Sequence, residues 1–308
     1  MDFHDFAEVN KNFLSSIQAK PSTEQQGDFT IRPKVSIVMP SFNQGQFIER
    51  SLLSVINQGY PNLELIVIDG ASSDATLSII KKYKPYIAYW ISEPDHGQSD
   101  ALNKGFAHAT GEILGWLNSD DLYMPGAIVH AVAALVKRPD KAIVFGDWLA
   151  IDDEDNCLAH EYAFNMNINH TKYEGVSINA QAMFWRREVH ERFGYFETTL
   201  YNTMDFQMVL AFGINEGECA FFRLPSVLGC FRRYEGQKTG AINVQRQLNE
   251  HRLLAERYSY RDKYTWLGKY KRYYYRMRRG YWYLRRAGVV YFMDKLLGSH
   301  ELTRTNGM

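Results

Sequence analysis

Cysteine is scarce and poorly placed for bonding. The 308-residue chain carries only Cys157, Cys219 and Cys230, an odd number with no CxxC pair. Neither a disulfide framework nor a zinc site is supported, and the spacing suits buried, reduced thiols. Long apolar runs are also missing, since no stretch reaches the ~18 uncharged apolar residues that a membrane-spanning helix needs. Charge of one sign is not in excess: 35 Lys and Arg balance 35 Asp and Glu, so bulk charge points to no partner and only its distribution is informative. Met1 to Lys20 mixes acids and bases without a central apolar block, so no secretory signal is read and a cytoplasmic location is expected. No GxGxxG follows the first apolar strand and no GxxxxGK[ST] occurs, which weighs against a dinucleotide cofactor and a P-loop.

What is present is a repeating pattern. Hydrophobic residues make up 45% of the chain, enough for one large domain or one domain with an appendage. Residues 1–33 form a polar leader with Pro21, Ser22, Thr23 and Gln25-Gln26-Gly27. Val35 to Pro40 reads as a β-branched strand, Phe47 to Gln58 as a helix, and Leu63 to Ile68 as a second strand delivering Asp69. A helix follows to Tyr83, then a strand over Ile87–Ile91, a helix over Ser99–Ala109, a strand ending at Leu117, a helix over Pro125–Lys137 and a strand over Ala142–Phe145. Repeated βα units at this spacing predict an α/β fold whose central sheet is mostly parallel and flanked by helices on both faces.

Polar residues gather where these strands end: Ser41 and Asn43, Asp69, Asp95, then Asn118, Asp120 and Asp121. In an open parallel sheet those ends line the crevice where ligands bind. Adjacent carboxylates there repel unless a cation or a set of donors holds them. The plainer alternative is a loop in which Asp120 or Asp121 caps the helix that follows.

Four segments, in order, carry a resemblance. Val35–Asn43 (VSIVMPSFN), Leu65–Asp74 (LIVIDGASSD), Glu93–Gly105 (EPDHGQSDALNKG) and Leu117–Leu122 (LNSDDL) resemble the family 2 glycosyltransferases, inverting nucleotide-sugar enzymes of the GT-A fold. The likeness continues through Gln181–Arg187, Gly194–Glu197 and Thr203–Phe206 and covers about residues 34–240. It implies a nucleotide-binding half at 34–147 and an acceptor-side half at 148–240, with 241–308 left as a helical basic and aromatic extension.

The resemblance also implies roles. Pro40, Ser41 and Asn43 are expected against the nucleobase, and Asp69 is expected to accept from a ring N–H, which suits uracil or thymine, with UDP favoured and guanine's N1–H the alternative. Asp95 and Asp100 fall near the donor sugar and ribose, though Asp100 also fits a first-turn acid of a helix. Asp120, the last acid of the family's D-x-D arrangement, is expected to hold a divalent cation, Mn2+ or Mg2+, against the departing diphosphate. Asn118 stands where that motif usually has Asp and is expected to contact ribose. Asp205 matches the family's proton acceptor, with Met204 where many relatives have Glu; the alternative is a helix cap. Phe231–Thr239 resembles a loop that folds over the diphosphate, with Tyr234 in place of a usual His and with Arg233 and Lys238 as phosphate contacts.

From Tyr264 to Met293 there is no acid, while Lys269, Lys271, Arg272, Arg276, Arg278, Arg279, Arg285 and Arg286 interleave with tyrosines and Trp282. Such a segment suits an anionic membrane surface, placing the protein peripherally on the inner face of the cell membrane. It equally suits an amphipathic helix whose Arg and Lys stems pack on the domain. No nucleic-acid-binding module accompanies it. The resulting expectation is a metal-dependent inverting transfer from a nucleotide sugar to a saccharide or lipid-linked saccharide acceptor, in cell-surface polysaccharide or glycolipid assembly. A nucleotidyltransferase, which releases pyrophosphate, and a non-catalytic nucleotide-sugar binder are the alternatives.

Overall fold

The computed structural model describes residues 32–238, 244–260 and 265–297, so all but the last two residues of the expected 1–33 leader, and Thr239 of the late loop, lie outside the described residues. The first half follows the sequence pattern. Strands β1 (Val35–Ser41), β2 (Leu63–Asp69), β3 (Tyr89–Ser92) and β4 (Ile113–Trp116) are joined by helices α1 (Ile48–Ile56), α2 (Thr76–Tyr83) and α3 (Gln98–His108). The strands pair in parallel in the order β3-β2-β1-β4. Strand β1 shows why: Val35, Ile37 and Met39 pack with Ile48, Leu52 and Val55 of α1 on one face. Val38 packs with Leu102 and Phe106 of α3 on the other. A strand covered on both faces reads as an unbroken apolar run, and its alternation emerges only once the helices are placed.

The second half is mixed rather than parallel. Strand β6 (Ile143–Ile151) is preceded by helix α4 (Ala127–Lys137), and β8 (Met183–Arg186) inserts between β4 and β6, antiparallel to both. Strand β9 (Phe221–Arg232) lies parallel to β6, while β5 (Leu122–Tyr123) and β7 (Cys157–Glu161) add antiparallel edges. The strand expected to stop at Phe145 in fact continues to Ile151. Gly146 is the reason. A Cβ there would lie 2.5 Å from the Ser226 carbonyl, and the β6/β9 register shifts at this point. The glycine marks a close backbone approach within a strand, not its end.

Helix α5 (Ile168–Glu174), α6 (Arg187–Phe193) and α7 (Met204–Glu216) fill the side of the sheet beneath α3, where Met208, Val209 and Phe212 join the core that holds Phe106. Helix α8 (Val244–Arg257) closes against α7, with Leu254 buried among Leu200, Phe206 and Leu210. Packing therefore crosses the boundary expected at residue 240. The basic segment forms α9 (Trp266–Leu297), which breaks at Gly288, where φ is 84°. After the break the chain folds back: Tyr291 meets Tyr283 at 5.2 Å between ring centroids, and the Phe292 ring reaches Gly280. In a continuous helix, residues twelve apart would be separated by about 18 Å.

Candidate active site

The ends of β1 and β2 are stitched together by short polar side chains. Asp69 is fully buried and accepts from the Ser72 N–H at 3.0 Å, from the Ser92 hydroxyl at 2.5 Å and from the Ser72 hydroxyl. Asn43 adopts a left-handed backbone, φ 50°, donates its N–H to Ser72 Oγ at 2.7 Å and accepts from the Ser73 N–H at 2.9 Å. Pro40 and Ser41 lie in β1 opposite Ile68 and Asp69, and the Ser41 hydroxyl is buried with no hydrogen-bond partner among the described residues. Beside them Phe42 is 60% exposed, its ring close to Gly70. A Cβ on Gly70 would come within 2.7 Å of Asp95 Oδ2, so this glycine lets the two loops meet. Phe42 was not among the residues expected from the motifs. Its signal, a bulky ring in a loop of small polar residues, was there to be read.

Asp95 takes the Gly97 N–H at 2.8 Å, and burial pushes its carboxyl above the usual range. Asp100, in the first turn of α3, accepts from the His96 N–H at 3.1 Å and faces Lys104. It therefore closes the turn that opens the helix.

Asn118 is a hub. Its Oδ1 accepts from Trp116 Nε1 and from Gln98 Nε2, both at 2.7 Å, and its Nδ2 donates to Asp121 at 3.0 Å. Asp121 is fully buried and also accepts the Arg232 N–H at 2.9 Å, while burial and the neighbouring Asp120 hold its carboxyl well above normal. It is a fastening group with no open face. Arg232 is equally buried. Its guanidinium donates to the carbonyls of Asp120 at 2.7 Å and Asp152 at 2.6 Å, pairs with Asp155 at 2.5 Å and lies 4.7 Å from the Phe47 ring. The loop after β4 is thus tied to the end of β9 by a residue the motifs did not mark.

Asp120 is less enclosed than Asp121. Its Oδ2 accepts from the Tyr234 hydroxyl at 3.0 Å, which in turn accepts from Gln44 Nε2 at 3.2 Å. Burial raises its pKa, partly offset by that hydroxyl. Lys238 donates to Gln98 Oε1 at 2.9 Å and sits 4.2 Å over the Tyr201 ring. Burial lowers the Lys238 pKa to about 8 against the pull of Asp205. Asp205 opens α7, accepts the Phe206 N–H at 2.7 Å, and is pushed above the carboxylate range by burial. Met204 offers no second carboxylate to raise it, and none is needed. Arg233 goes elsewhere: its guanidinium is turned to Glu161 at 3.3 Å, where Lys295 also binds at 2.6 Å.

A sequence profile described as glycosyl transferase family 2 matches residues 36–194. The chain belongs to that family. An uncharacterized glycosyltransferase of Mycobacterium tuberculosis is 43% identical over 108 residues, covering 34% of this chain and 41% of its own length. One from Rickettsia typhi is 35% identical over 130 residues, covering 42% and 41%. The chain thus spans about two fifths of the length of these curated relatives. Among solved structures, S. aureus TarS 1-349 in complex with UDP-GlcNAc has a TM-score of 0.58 at 18% identity, covering 72% of this chain and 65% of that one. The mannosyltransferase PcManGT of Pyrobaculum calidifontis, in complex with GDP-Man and Mn2+, has a TM-score of 0.56 at 22% identity, covering 82% and 72%. These likenesses show the GT-A fold.

The family 2 chain offers one carboxylate for a cation. No group of three or more His, Cys, Asp or Glu able to hold a metal occurs among the described residues. Asp121 is sealed, the Asn118 oxygen already takes two donors, and Tyr234 occupies one oxygen of Asp120. This donor set fits a hard cation anchored at one point and completed by phosphate oxygens and water; it is no preformed cage.

Proposed function

We propose that this protein transfers a sugar with inversion from a nucleotide-diphosphate sugar, UDP being the favoured carrier, to a hydroxyl of a saccharide or lipid-linked saccharide in cell-surface polysaccharide or glycolipid assembly. One observation carries the reading. Hydrogen bonds through Asn118, Gln98 and Lys238 link the strand-end loop bearing Asp120 to the Lys238 ammonium, which lies over the Tyr201 ring ahead of α7 and is drawn by the charge of Asp205. This supports reading Asp120 on the leaving-group side and Asp205 as the proton acceptor of one reaction. Mn2+ or Mg2+ held at Asp120 would supply positive charge to the diphosphate. Asp205 accepts the proton of the acceptor hydroxyl as its oxygen bonds to the anomeric carbon, and the sugar–phosphate bond breaks with its electron pair leaving on the nucleoside diphosphate. Lys238 brings a further cation to the cleft, next to Gln98.

A thermal-shift panel of UDP-, GDP- and dTDP-sugars, with and without manganese, tests the donor side, because a ligand that binds only the folded state raises its stability. The true donor stands out and is turned over to nucleoside diphosphate. Release of pyrophosphate, or binding without any turnover, would overturn the assignment.

No helix among the described residues is long and apolar enough to cross a membrane. We infer peripheral attachment through the outer face of α9, at the inner side of the cell membrane. On its inner face Arg272 and Arg279 pair with Glu174, and Lys295 pairs with Glu161. Trp266, Tyr270, Tyr273 and Tyr281 are left exposed, and Arg278 and Arg285 lie over the rings of Tyr274 and Tyr281 in a stretch of sequence that holds no acid. Rings at headgroup depth and cations near phosphates suit an anionic surface. Liposomes rich in phosphatidylglycerol should float the protein at low salt; equal recovery with neutral liposomes rules the surface out.

A further inference from the structure

The segment that leads into Asp205 has no cap of its own. Thr203, at the N-terminal boundary of α7, makes no capping hydrogen bond to the first turn, and the preceding residues Tyr201 and Asn202 point their N–H groups away from the helix. Those groups are taken by Glu250, a buried carboxylate on α8. Its Oε1 accepts from the Tyr201 N–H at 2.9 Å and from Arg246 at 3.3 Å. Its Oε2 accepts from the Asn202 N–H at 2.9 Å and from the Thr203 hydroxyl at 3.0 Å. Both carboxylate oxygens are met by donors, as a side chain only 7% exposed requires.

We propose that Glu250 is a positioning residue: it fixes the Tyr201–Asn202–Thr203 segment and thereby sets Asp205 and the Tyr201 ring against Lys238. This rests on the reading of Asp205 as proton acceptor. The same glutamate holds the Tyr201 ring under two cations, Lys238 at 4.2 Å and Arg246 at 4.3 Å, so one carboxylate organises both the base and the charge beside it. The consequence for the chain is that the cleft is completed from α8, beyond the stretch that bears the family motifs.

Glu250→Gln keeps the size of the side chain but replaces one acceptor with a donor facing an N–H. Thr203→Ala removes one bond and leaves the carboxylate in place. In the full chain, nucleoside diphosphate release from the sugar nucleotide selected by the panel is expected to fall on the order of 10²-fold for Glu250→Gln, as a displaced group of about 1 Å does. Thr203→Ala should fall less, in the same direction. Affinity for the selected nucleotide should change far less than turnover in both. Exchange of the Tyr201 and Asn202 amides should speed up in Glu250→Gln. The acid limb of the turnover profile should move to lower pH, because an Asp205 released from its setting loses the burial that raises it. Unchanged turnover and pH profile in a folded Glu250→Gln, with Asp205→Asn inactive, overturns this proposal alone. Slow, unchanged exchange of the two amides overturns it without any turnover. Full activity of Asp205→Asn overturns both this and the reading it rests on.

Discussion

Replacing Arg232, at the end of β9, with Met should loosen the loop after β4 that it fastens. The methionine keeps most of the apolar stem, so the loss is polar. Two bonds from a charged donor, to the carbonyls of Asp120 and Asp152, disappear, each worth about 1.5–3 kcal/mol. The ion pair with Asp155 also goes, and breaking a buried pair costs roughly 3–5 kcal/mol when the remaining charge is stranded. Asp155 is not stranded, because Arg50 still binds it at 2.9 Å. These contributions share one side chain and do not add, so about 3–4 kcal/mol is expected, nearer the cost of the two carbonyl bonds than of an orphaned carboxylate. For a chain of this size that corresponds to a fall in Tm of roughly 5–6 °C. Urea unfolding and a thermal melt measure it. Arg50→Met provides the control, since that arginine is 30% exposed and Asp155 keeps Arg232; about 1 kcal/mol is expected there. If Arg232→Met costs less than its Arg50 counterpart, Arg232 is not what fastens the loop.

Asp205→Asn should lower turnover by about 10²–10⁴-fold, the range of a lost general base, with nucleotide binding retained in calorimetry. The wild-type turnover profile should be bell-shaped. Activity rises with pH as Asp205 loses its proton, at a value above the ordinary carboxylate range because burial disfavours the anion. It falls again as pH passes about 8 and Lys238 loses its charge. A basic limb unmoved in Lys238→Arg would assign that limb to another group. Manganese alone should leave Tm unchanged, whereas manganese with donor should raise it, because Asp120 is a single anchor; stabilisation by the ion alone at micromolar concentration would point to a built cage instead.

Much of this was legible in the order of the strands. Strands β1 and β2 are long runs rich in β-branched residues, and because the four strands of the first half are parallel, the polar residues after them fall at one edge of the sheet. The mixed second half was less readable for a physical reason. Strand β8 has four residues and β5 only two, too short to show a period, and Gly146 looks like a terminator while serving as a point of close approach. The site divides the same way. Asp69, Asn118 and Asp120 stood out as polar groups after apolar runs, whereas Asp205 was marked only by the family resemblance. Arg233 was placed on the cleft loop as a free cation, yet its neighbour Arg232 is the one turned inward, because residues of a strand alternate in direction and Arg232 falls on the buried side. Glu250 had no signal at all. It lies in a polar helix where nothing distinguishes it from Glu256, and only tertiary packing gives it four donors.

The backbone of Gly288 has a consequence out of proportion to its size. Its positive φ, which L residues other than glycine adopt at a cost, decides whether α9 is a rod or a hairpin. As a hairpin, the chain carries Lys295 back to Glu161, the carboxylate that also holds Arg233, the residue from which the loop bearing Tyr234 and Lys238 departs. Straightened, the same lysine would sit about 20 Å away, seven residues of helix pointing outward instead of inward. The late arm is therefore fastened, through one shared glutamate, to the residue from which the loop bearing Tyr234 and Lys238 departs.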